Sequence, residues 1–233
     1  MKVLIIIPAY NEAENIEHVV TTLKRECPFA DYIIVNDCSK DATEKICKKN
    51  GYNFLSLPIN LGIGGGVQAG YKYALANDYD YAVQFDGDGQ HNAEYIKDLI
   101  ETLENGEADM AIGSRFIKKE GFQTSTMRRF GINILKIAIK LCTGVTATDA
   151  TSGFRAANKE VTKFFANQYA QDYPEPEAIV SASRHGFKIK DIPVVMNERT
   201  AGVSSINPMK SVYYMIKVLL SIFIMSLTNK KGR

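Results

Sequence analysis

The chain has 233 residues, with 28 Lys+Arg against 26 Asp+Glu, a formal net charge of +2, 45% hydrophobic and 23% charged residues. These proportions are globular and exclude a disordered chain, a collagen-like repeat and a nucleic-acid binder that works through excess positive charge. The length suits one large α/β domain or a domain with an appendage. Residues 2–7 are an apolar, β-branched run ending at Pro8, as in a buried parallel strand; the run is too short for a signal-peptide core, so export is not expected. Asn11 followed by Glu14 reads as a helix cap, with Ile16, Val19, Val20 and Leu23 on one helical face. Residues 32–35 form a second strand, and Asp41 with Glu44 caps a second helix that Gly51 closes. A short third strand at 54–57 leads through a glycine-rich turn into a helix ending near Ala76. Strand 81–85, helix 93–103 and strand 108–113 follow.

This βαβ rhythm predicts a mostly parallel sheet with right-handed crossovers and helices on both faces. Ligands of such sheets lie beyond the carboxyl ends of the strands. After Phe116 the rhythm loosens into a basic loop and helix (118–142), a Thr/Ser/Gly turn (148–154), a helix around 178–184 and an extended stretch at 188–196. The chain then closes on an apolar segment. Four scattered cysteines (Cys27, Cys38, Cys47, Cys142) without a CxxC pair, and three histidines (His18, His91, His185), build no zinc spacing and are expected as reduced thiols.

Polar groups gather where strands end. Asp86-Gly87-Asp88 directly follows the fourth strand, and two carboxylates one residue apart on a glycine-loosened strand end can face a hard cation such as Mg²⁺ or Mn²⁺, with Gln90 and His91 near enough to complete the shell. A solvated acidic turn is the alternative. Pro8, Ala9, Tyr10 and Glu12 end the first strand and Asp37 the second. A nucleotide can stack on Tyr10 and hydrogen-bond to Asp37, although Asp37 equally suits a cap for the turn at 38–41. The segment from Asn60 to Gly70 is rich in glycine, and its backbone amides suit a phosphate. Gly64-x-Gly66-x-x-Ala69 within it loosely fits a dinucleotide fingerprint. It follows the third strand rather than the first and leaves Asp86 and Asp88 without a role.

Arg115, at the end of the fifth strand, and Arg128 and Arg129 beyond it can clamp an anion or be surface residues. Glu175 and Glu177 near a helix start are either candidates for a general base or electrostatic partners of the helix N-terminus.

Pro-Ala-Tyr-Asn-Glu after the first strand, Asn-Asp-Cys-Ser after the second, Asp-Gly-Asp-Gly-Gln-His after the fourth, then Gly-Ser-Arg-Phe and Thr-Ser-Gly-Phe-Arg-Ala, in that order, resemble glycosyltransferase family 2, and above all its dolichyl-phosphate mannose synthase-like branch. The likeness covers about residues 1–200. It implies a GT-A fold, a nucleoside-diphosphate-sugar donor, Mg²⁺ or Mn²⁺ and inversion at the anomeric carbon. By resemblance, Asp86 and Asp88 would hold the metal and donor diphosphate, with Gln90 as a third ligand. Pro8, Tyr10, Glu12 and Asp37 would line the nucleoside pocket, Arg115 would face the diphosphate or a phosphorylated acceptor, and Asp149 would order the acceptor side. The sequence departs from the family at Asn36-Asp37, where two acids are frequent, and at Tyr173-Pro-Glu-Pro-Glu177, where many members carry Glu-Asp, so the general base stays open between Glu175 and Glu177.

The implied function is transfer of a hexosyl or deoxyhexosyl group to a polyprenyl phosphate or lipid-linked saccharide in cell-surface glycan synthesis. The alternatives are an NAD-dependent oxidoreductase using the glycine loop and a catalytically silent nucleotide-sugar-binding subunit of a membrane complex. A catalytic unit over 1–208 and a C-terminal helix and tail over 209–233 are expected. Residues 209–227 would span about 28 Å as a helix, short of a ~30 Å hydrocarbon core, and contain Lys217. The tail holds Lys210, Lys217, Lys230, Lys231 and Arg233 and no acid, against a body with 23 basic and 26 acidic residues. Peripheral attachment at the cytoplasmic face of the cell membrane is therefore expected, with packing on a membrane protein, on a second copy or on the sheet as the other options.

Overall fold

The computed structural model describes residues 1–121, 126–197 and 208–228, with side chains described except at 126–128, 208–214 and 227–228. Its centre is β1 (Val3–Ala9), buried at every position, because both faces of a central parallel strand are covered by helices. The pleat divides it: Val3, Ile5, Ile7 and Ala9 enter one core and Leu4 and Ile6 the other. Around it the chain builds α1 (Ile16–Glu26), β2 (Asp31–Asn36), α2 (Thr43–Lys49), β3 (Phe54–Ser56), α3 (Gly62–Ala76), β4 (Tyr81–Gln84), α4 (Tyr95–Glu104) and β5 (Met110–Ser114). Then come α5 (Thr126–Thr143), β6 (Arg155–Asn158), α6 (Lys159–Asn167), α7 (Pro174–Arg184), β7 (Ile189–Pro193) and α8 (Pro208–Thr228). The sheet order is β3-β2-β1-β4-β6-β5-β7.

The α/β architecture with helices on both faces is the one expected. α1 buries Ile16, Val19, Val20 and Leu23, the four residues its periodicity selects. With α2 and α4 it covers one face of the sheet; α3, α5, α6, α7 and α8 contribute to the core on the other. Gly51 ends α2 at φ 62°, a left-handed conformation that favours glycine.

One local expectation changes, and two features lie outside the sequence reading. Asn11 does not cap α1: at φ 58° its Oδ1 accepts the Lys40 N–H at 2.8 Å, tying the loop after β1 to the loop after β2. Secondly, the strand β6 and the helix α6 are absent from the sequence reading. β6 is short and begins with Arg155, so its pattern gives no strand signal; α6 does carry one, since the Asn158 Oδ1 accepts the Val161 N–H at 3.0 Å as an N-cap.

Thirdly, β6 runs antiparallel between β4 and β5, pairing Ala156 with both Val83 and Ala111, while β1 pairs parallel with β2 and β4, and β5 with β7. This reversal is decisive for the site. An antiparallel strand starts where its neighbours finish, so the segment 149–154 enters the sheet at the edge where β4 and β5 leave it.

α8 packs into the core through Val218 and Ile222. Its Lys217 pairs with Asp172 and lies 5.3 Å from the Tyr173 ring centre, and Gly131 of α5 approaches Met215 so closely that a Cβ would stand 3.2 Å from its Sδ. Among the described residues no helix is long and apolar enough to cross a membrane.

Candidate active site

The carboxyl ends of β1, β2, β4 and β5 converge with the start of β6. On the first side, the loops after β1 and β2 are laced together. The Asp37 N–H donates to the Ala9 carbonyl at 2.9 Å, the Asn11 N–H to Ser39 Oγ at 3.0 Å, the Glu12 N–H to Thr43 Oγ1 at 2.9 Å and the Ala13 N–H to Asp41 Oδ2 at 3.1 Å. Such side-chain acceptors satisfy amides that the strands leave unpaired. Asp37 is buried, and its Oδ1 accepts the Leu61 N–H at the start of α3 at 2.7 Å. Asn60 donates through Nδ2 to the Asp37 carbonyl at 3.0 Å.

Pro8, Asp37 and Gly66 are neighbours: a Cβ on Gly66 would stand 4.0 Å from the Cβ atoms of both others. A Cβ on Gly87 would lie 3.1 Å from the Pro8 carbonyl oxygen, which brings the end of β4 against the end of β1. Tyr10 is exposed on this rim. Pro8, Ala9, Glu12, Asp37, Asn60, Asp86 and Gly87 thus share one edge.

The glycine-rich segment is not an open phosphate loop. Gly64, Gly65, Gly66 and Gly70 are buried within α3. The Gly64 amide donates to the Gln171 carbonyl at 3.1 Å, and a Cβ there would lie 2.0 Å from the Ala170 carbonyl oxygen. On Gly70 it would lie 2.2 Å from Ile6 Cγ2. These glycines let α3 approach the sheet and the chain before α7, and the expectation of free amides at Gly64 is corrected accordingly.

At the centre, Asp88 is buried and its Oδ1 accepts the Gln90 N–H at 3.1 Å. Asp86 is partly exposed and receives Gln84 Nε2 on Oδ1 at 3.3 Å, while His91 Nε2 lies 3.5 Å from Oδ2. The Gln90 carbonyl accepts the Asn197 N–H at 2.9 Å. Among the described residues no three or more His, Cys, Asp and Glu side chains cluster as a metal cage. The donor set here is two carboxylates with an amide side chain nearby, oxygen ligands of the kind that Mg²⁺ and Mn²⁺ take when substrate and water fill the other positions. A pocket for the first carboxylate is already shaped: a Cβ on Gly153 would lie 2.7 and 2.8 Å from the two Asp86 carboxylate oxygens.

On the far side, Arg115 and Asp149 form a buried fork, Nε to Oδ2 at 2.6 Å and Nη2 to Oδ1 at 3.2 Å, with Thr151 Oγ1 3.4 Å from Nη2. The Phe116 ring lies 5.3 Å from the Arg115 guanidinium and 5.5 Å from that of Arg129, so both cations share one aromatic platform. Arg128 falls outside the residues whose side chains are described. Arg155, fully buried, donates to the Ser152 carbonyl through Nε at 3.2 Å and Nη2 at 2.5 Å, and to the Glu175 carbonyl through Nη1 at 3.1 Å. It pins the start of α7 to the turn before β6.

Glu177 turns toward α8, where it hydrogen-bonds Ser221; burial pushes its carboxyl up, and Asp172 adds to the effect. Asp191 accepts the Thr148 N–H and hydroxyl at 2.5 Å each, with its carboxyl also pushed up by burial. The four cysteines are free, and burial pushes the Cys27 thiol up to about 11, which keeps it protonated and inert.

Gln84, Gly153, Arg155 and Tyr169 are absent from the sequence-based site. Gly153 sits in the Thr-Ser-Gly-Phe-Arg-Ala motif, but its reason for being glycine is a contact with Asp86, 67 positions earlier. No local pattern reports such a contact.

Comparison with known proteins identifies the family. The family model described as Glycosyl transferase family 2 matches residues 4–165. An uncharacterized protein of Methanocaldococcus jannaschii is 32% identical over 196 residues, 83% of this chain and 80% of that protein. Polyprenol monophosphomannose synthase of Mycolicibacterium smegmatis is 27% identical over 216 residues, 88% of this chain and 81% of that protein. In structure, glucosyl-3-phosphoglycerate synthase of Mycobacterium tuberculosis, crystallised with Mn²⁺, UDP and its product, superposes with a TM-score of 0.69 at 18% identity, over 97% of this chain and 79% of that one. That likeness is one of fold, the GT-A type.

Proposed function

This chain belongs to glycosyl transferase family 2, in its dolichyl-phosphate mannose synthase-like branch, and from that membership we propose that it transfers a sugar, with inversion and Mg²⁺ or Mn²⁺ dependence, from a nucleoside diphosphate to a polyprenyl phosphate or lipid-linked saccharide at the cytoplasmic face of a membrane. The family displaces the NAD-dependent reading, and with it the glycine fingerprint, which packs inside α3. The observation that carries the proposal is the placement of Asp86 and Asp88 beside the edge formed by Pro8 and Asp37, with the Arg115–Asp149 fork across the start of β6.

The nucleoside is assigned to the rim of Pro8, Ala9, Tyr10, Glu12 and Asp37, with Asn60 supporting Asp37. Asp86 and Asp88, with Gln90, would hold the cation. A divalent ion bound there supplies positive charge to the leaving diphosphate. The chain's own residues do the rest. Tyr10 offers a face for stacking the base, and Arg115, held rigid by Asp149, and Arg129 supply positive charge for an anionic acceptor. An acceptor oxygen attacks the anomeric carbon as the bond to the diphosphate breaks, and the nucleoside diphosphate leaves.

An alcohol acceptor needs a base, whereas a phosphate acceptor arrives ionised. Glu177 is turned to Ser221 of α8, and the relative named polyprenol monophosphomannose synthase supports the lipid phosphate as the acceptor.

The catalytic unit is assigned to 1–208 and the membrane-facing helix and tail to 209–233. Phe130, Ile137 and Leu141 of α5 are exposed, as are Ile216, Leu220, Phe223 and Ile224 of α8, and in sequence α8 is followed by Lys230, Lys231 and Arg233. An exposed apolar helix face followed in sequence by cations suits an anionic lipid surface. Incubating the full chain with labelled nucleoside-diphosphate sugars and undecaprenyl phosphate in vesicles tests the reading. Mn²⁺-dependent label in the lipid fraction is expected, and label confined to water-soluble products overturns the lipid acceptor.

A further inference from the structure

We propose that Gly153 is a positioning residue that, with Gln84 and His91, clamps the Asp86 carboxylate in the orientation needed to hold a divalent cation; the proposal rests on the assignment of Asp86 to the metal. The clamp is assembled from three separate parts of the chain. Gln84 ends β4, fully buried, and its Nε2 donates to Asp86 Oδ1 at 3.3 Å. Behind it the Tyr169 hydroxyl lies 3.4 Å from Gln84 Oε1. The Asp86 carboxylate can only accept, so the amide nitrogen faces it, and the Tyr169 hydroxyl donates to the amide oxygen from behind.

His91 works from the other side. Its Nδ1 accepts the Asp86 backbone N–H at 3.1 Å, which leaves the ring proton on Nε2, 3.5 Å from Asp86 Oδ2. The ring is stacked on Phe154 at 4.9 Å and 18° and meets the Phe85 ring edge-on at 5.4 Å, so it cannot swing away.

Gly153 is the floor. Its φ lies outside the left-handed region, so conformational freedom does not explain the glycine. Space does: a Cβ would stand 2.7 Å from Asp86 Oδ2, 2.8 Å from Oδ1 and 2.9 Å from Gln84 Nε2. The threatened atoms are the ends of side chains, whereas the strand that follows Gly153 is hydrogen-bonded on both edges. An added methyl group therefore displaces the carboxylate and leaves the strand in place. Phe154, the next residue, is the plate on which His91 stacks, so one dipeptide sets both the floor and one wall. Both donors are neutral, so they orient Asp86 without cancelling the charge a cation needs.

Gly153→Ala and Tyr169→Phe test the clamp, with Mn²⁺ binding to the full chain followed by loss of the free-ion electron paramagnetic resonance signal. Gly153→Ala is expected to weaken Mn²⁺ binding about tenfold or more with the melting temperature within about 2 °C of native. Tyr169→Phe, which removes only the support behind Gln84, is expected to weaken it about threefold. In an Asp86→Ala background Gly153→Ala should have no further effect on Mn²⁺ affinity. Native affinity in Gly153→Ala, or an equal further loss in the Asp86→Ala background, overturns the clamp. A crystal structure of Gly153→Ala separates the two readings. A displaced Asp86 carboxylate in a chain whose native form binds no Mn²⁺ supports the clamp and overturns the metal assignment, and an unmoved carboxylate overturns the clamp itself.

Discussion

The two halves of the site are built by different rules. The half proposed for the donor, at the ends of β1, β2 and β4, is parallel, and its residues follow one another in sequence as motif, strand, motif. The half proposed for the acceptor, around β5, β6 and α7, depends on a reversed strand. There Arg115 meets Asp149, 34 positions on, and Arg155 meets the carbonyl of Glu175, 20 positions on. The loops proposed for the donor are tied by backbone amides donating to side chains across 24 to 31 positions, whereas the side proposed for the acceptor is held by two buried guanidinium groups, Arg115 and Arg155. The first should lose function when a single group is removed, and the second should lose stability as well.

The sharpest test of that contrast is Asp88→Ala. It removes one oxygen donor from the centre without opening a core cavity, and turnover of donor should fall about 10³-fold at near-native melting temperature; a loss of fold would erase the distinction between the halves. Next is Asp149→Ala, which strands the buried Arg115 cation. A destabilisation of about 3–5 kcal/mol, read by urea unfolding, is expected along with lost transfer. The double replacement Arg115→Met with Asp149→Leu should regain most of that stability and none of the activity.

A third variant, Leu220→Glu with Phe223→Glu, acts on the exposed strip of α8. Vesicle co-sedimentation should fall about 10²-fold, since each side chain contributes roughly 1.5 kcal/mol or more when buried in lipid, with donor binding unchanged. Unchanged sedimentation would turn that face over to a second copy or a membrane protein.

The smallest effect concerns Glu177. Burial raises its carboxyl above the ordinary value of 4.5, so the folded state holds the proton more tightly than the unfolded chain. This contribution to stability is fully present below the ordinary value and is lost as pH rises through the raised one. Glu177→Gln should flatten that descent, gaining less than about 1 kcal/mol at neutral pH in melting curves. A steeper descent in the variant would put Glu177 in a different environment, open to the acceptor.

Patterns of short range determined much of this protein in advance. The run from Val3 to Ala9 is apolar at every position because both faces of β1 are covered, and the spacing of Ile16, Val19, Val20 and Leu23 is that of one buried helix face. Asp86 and Asp88 are singled out as candidates by chemistry within three residues. What stayed hidden depends on contacts between distant segments. β6 has four residues and starts with an arginine, so no periodicity marks it. Its direction, which brings Gly153 beneath Asp86, is imposed by pairing with β4 and β5. The glycines of α3 look locally like a loop and are explained only by the backbone at Ala170 and Gln171 that they admit. The surroundings of Glu177, including its hydrogen bond to Ser221 of α8, are likewise set by packing and not by sequence pattern. Charge, propensity and periodicity are properties of neighbours in sequence, whereas clearance and hydrogen-bond partnership are properties of neighbours in space, and those only the folded chain decided.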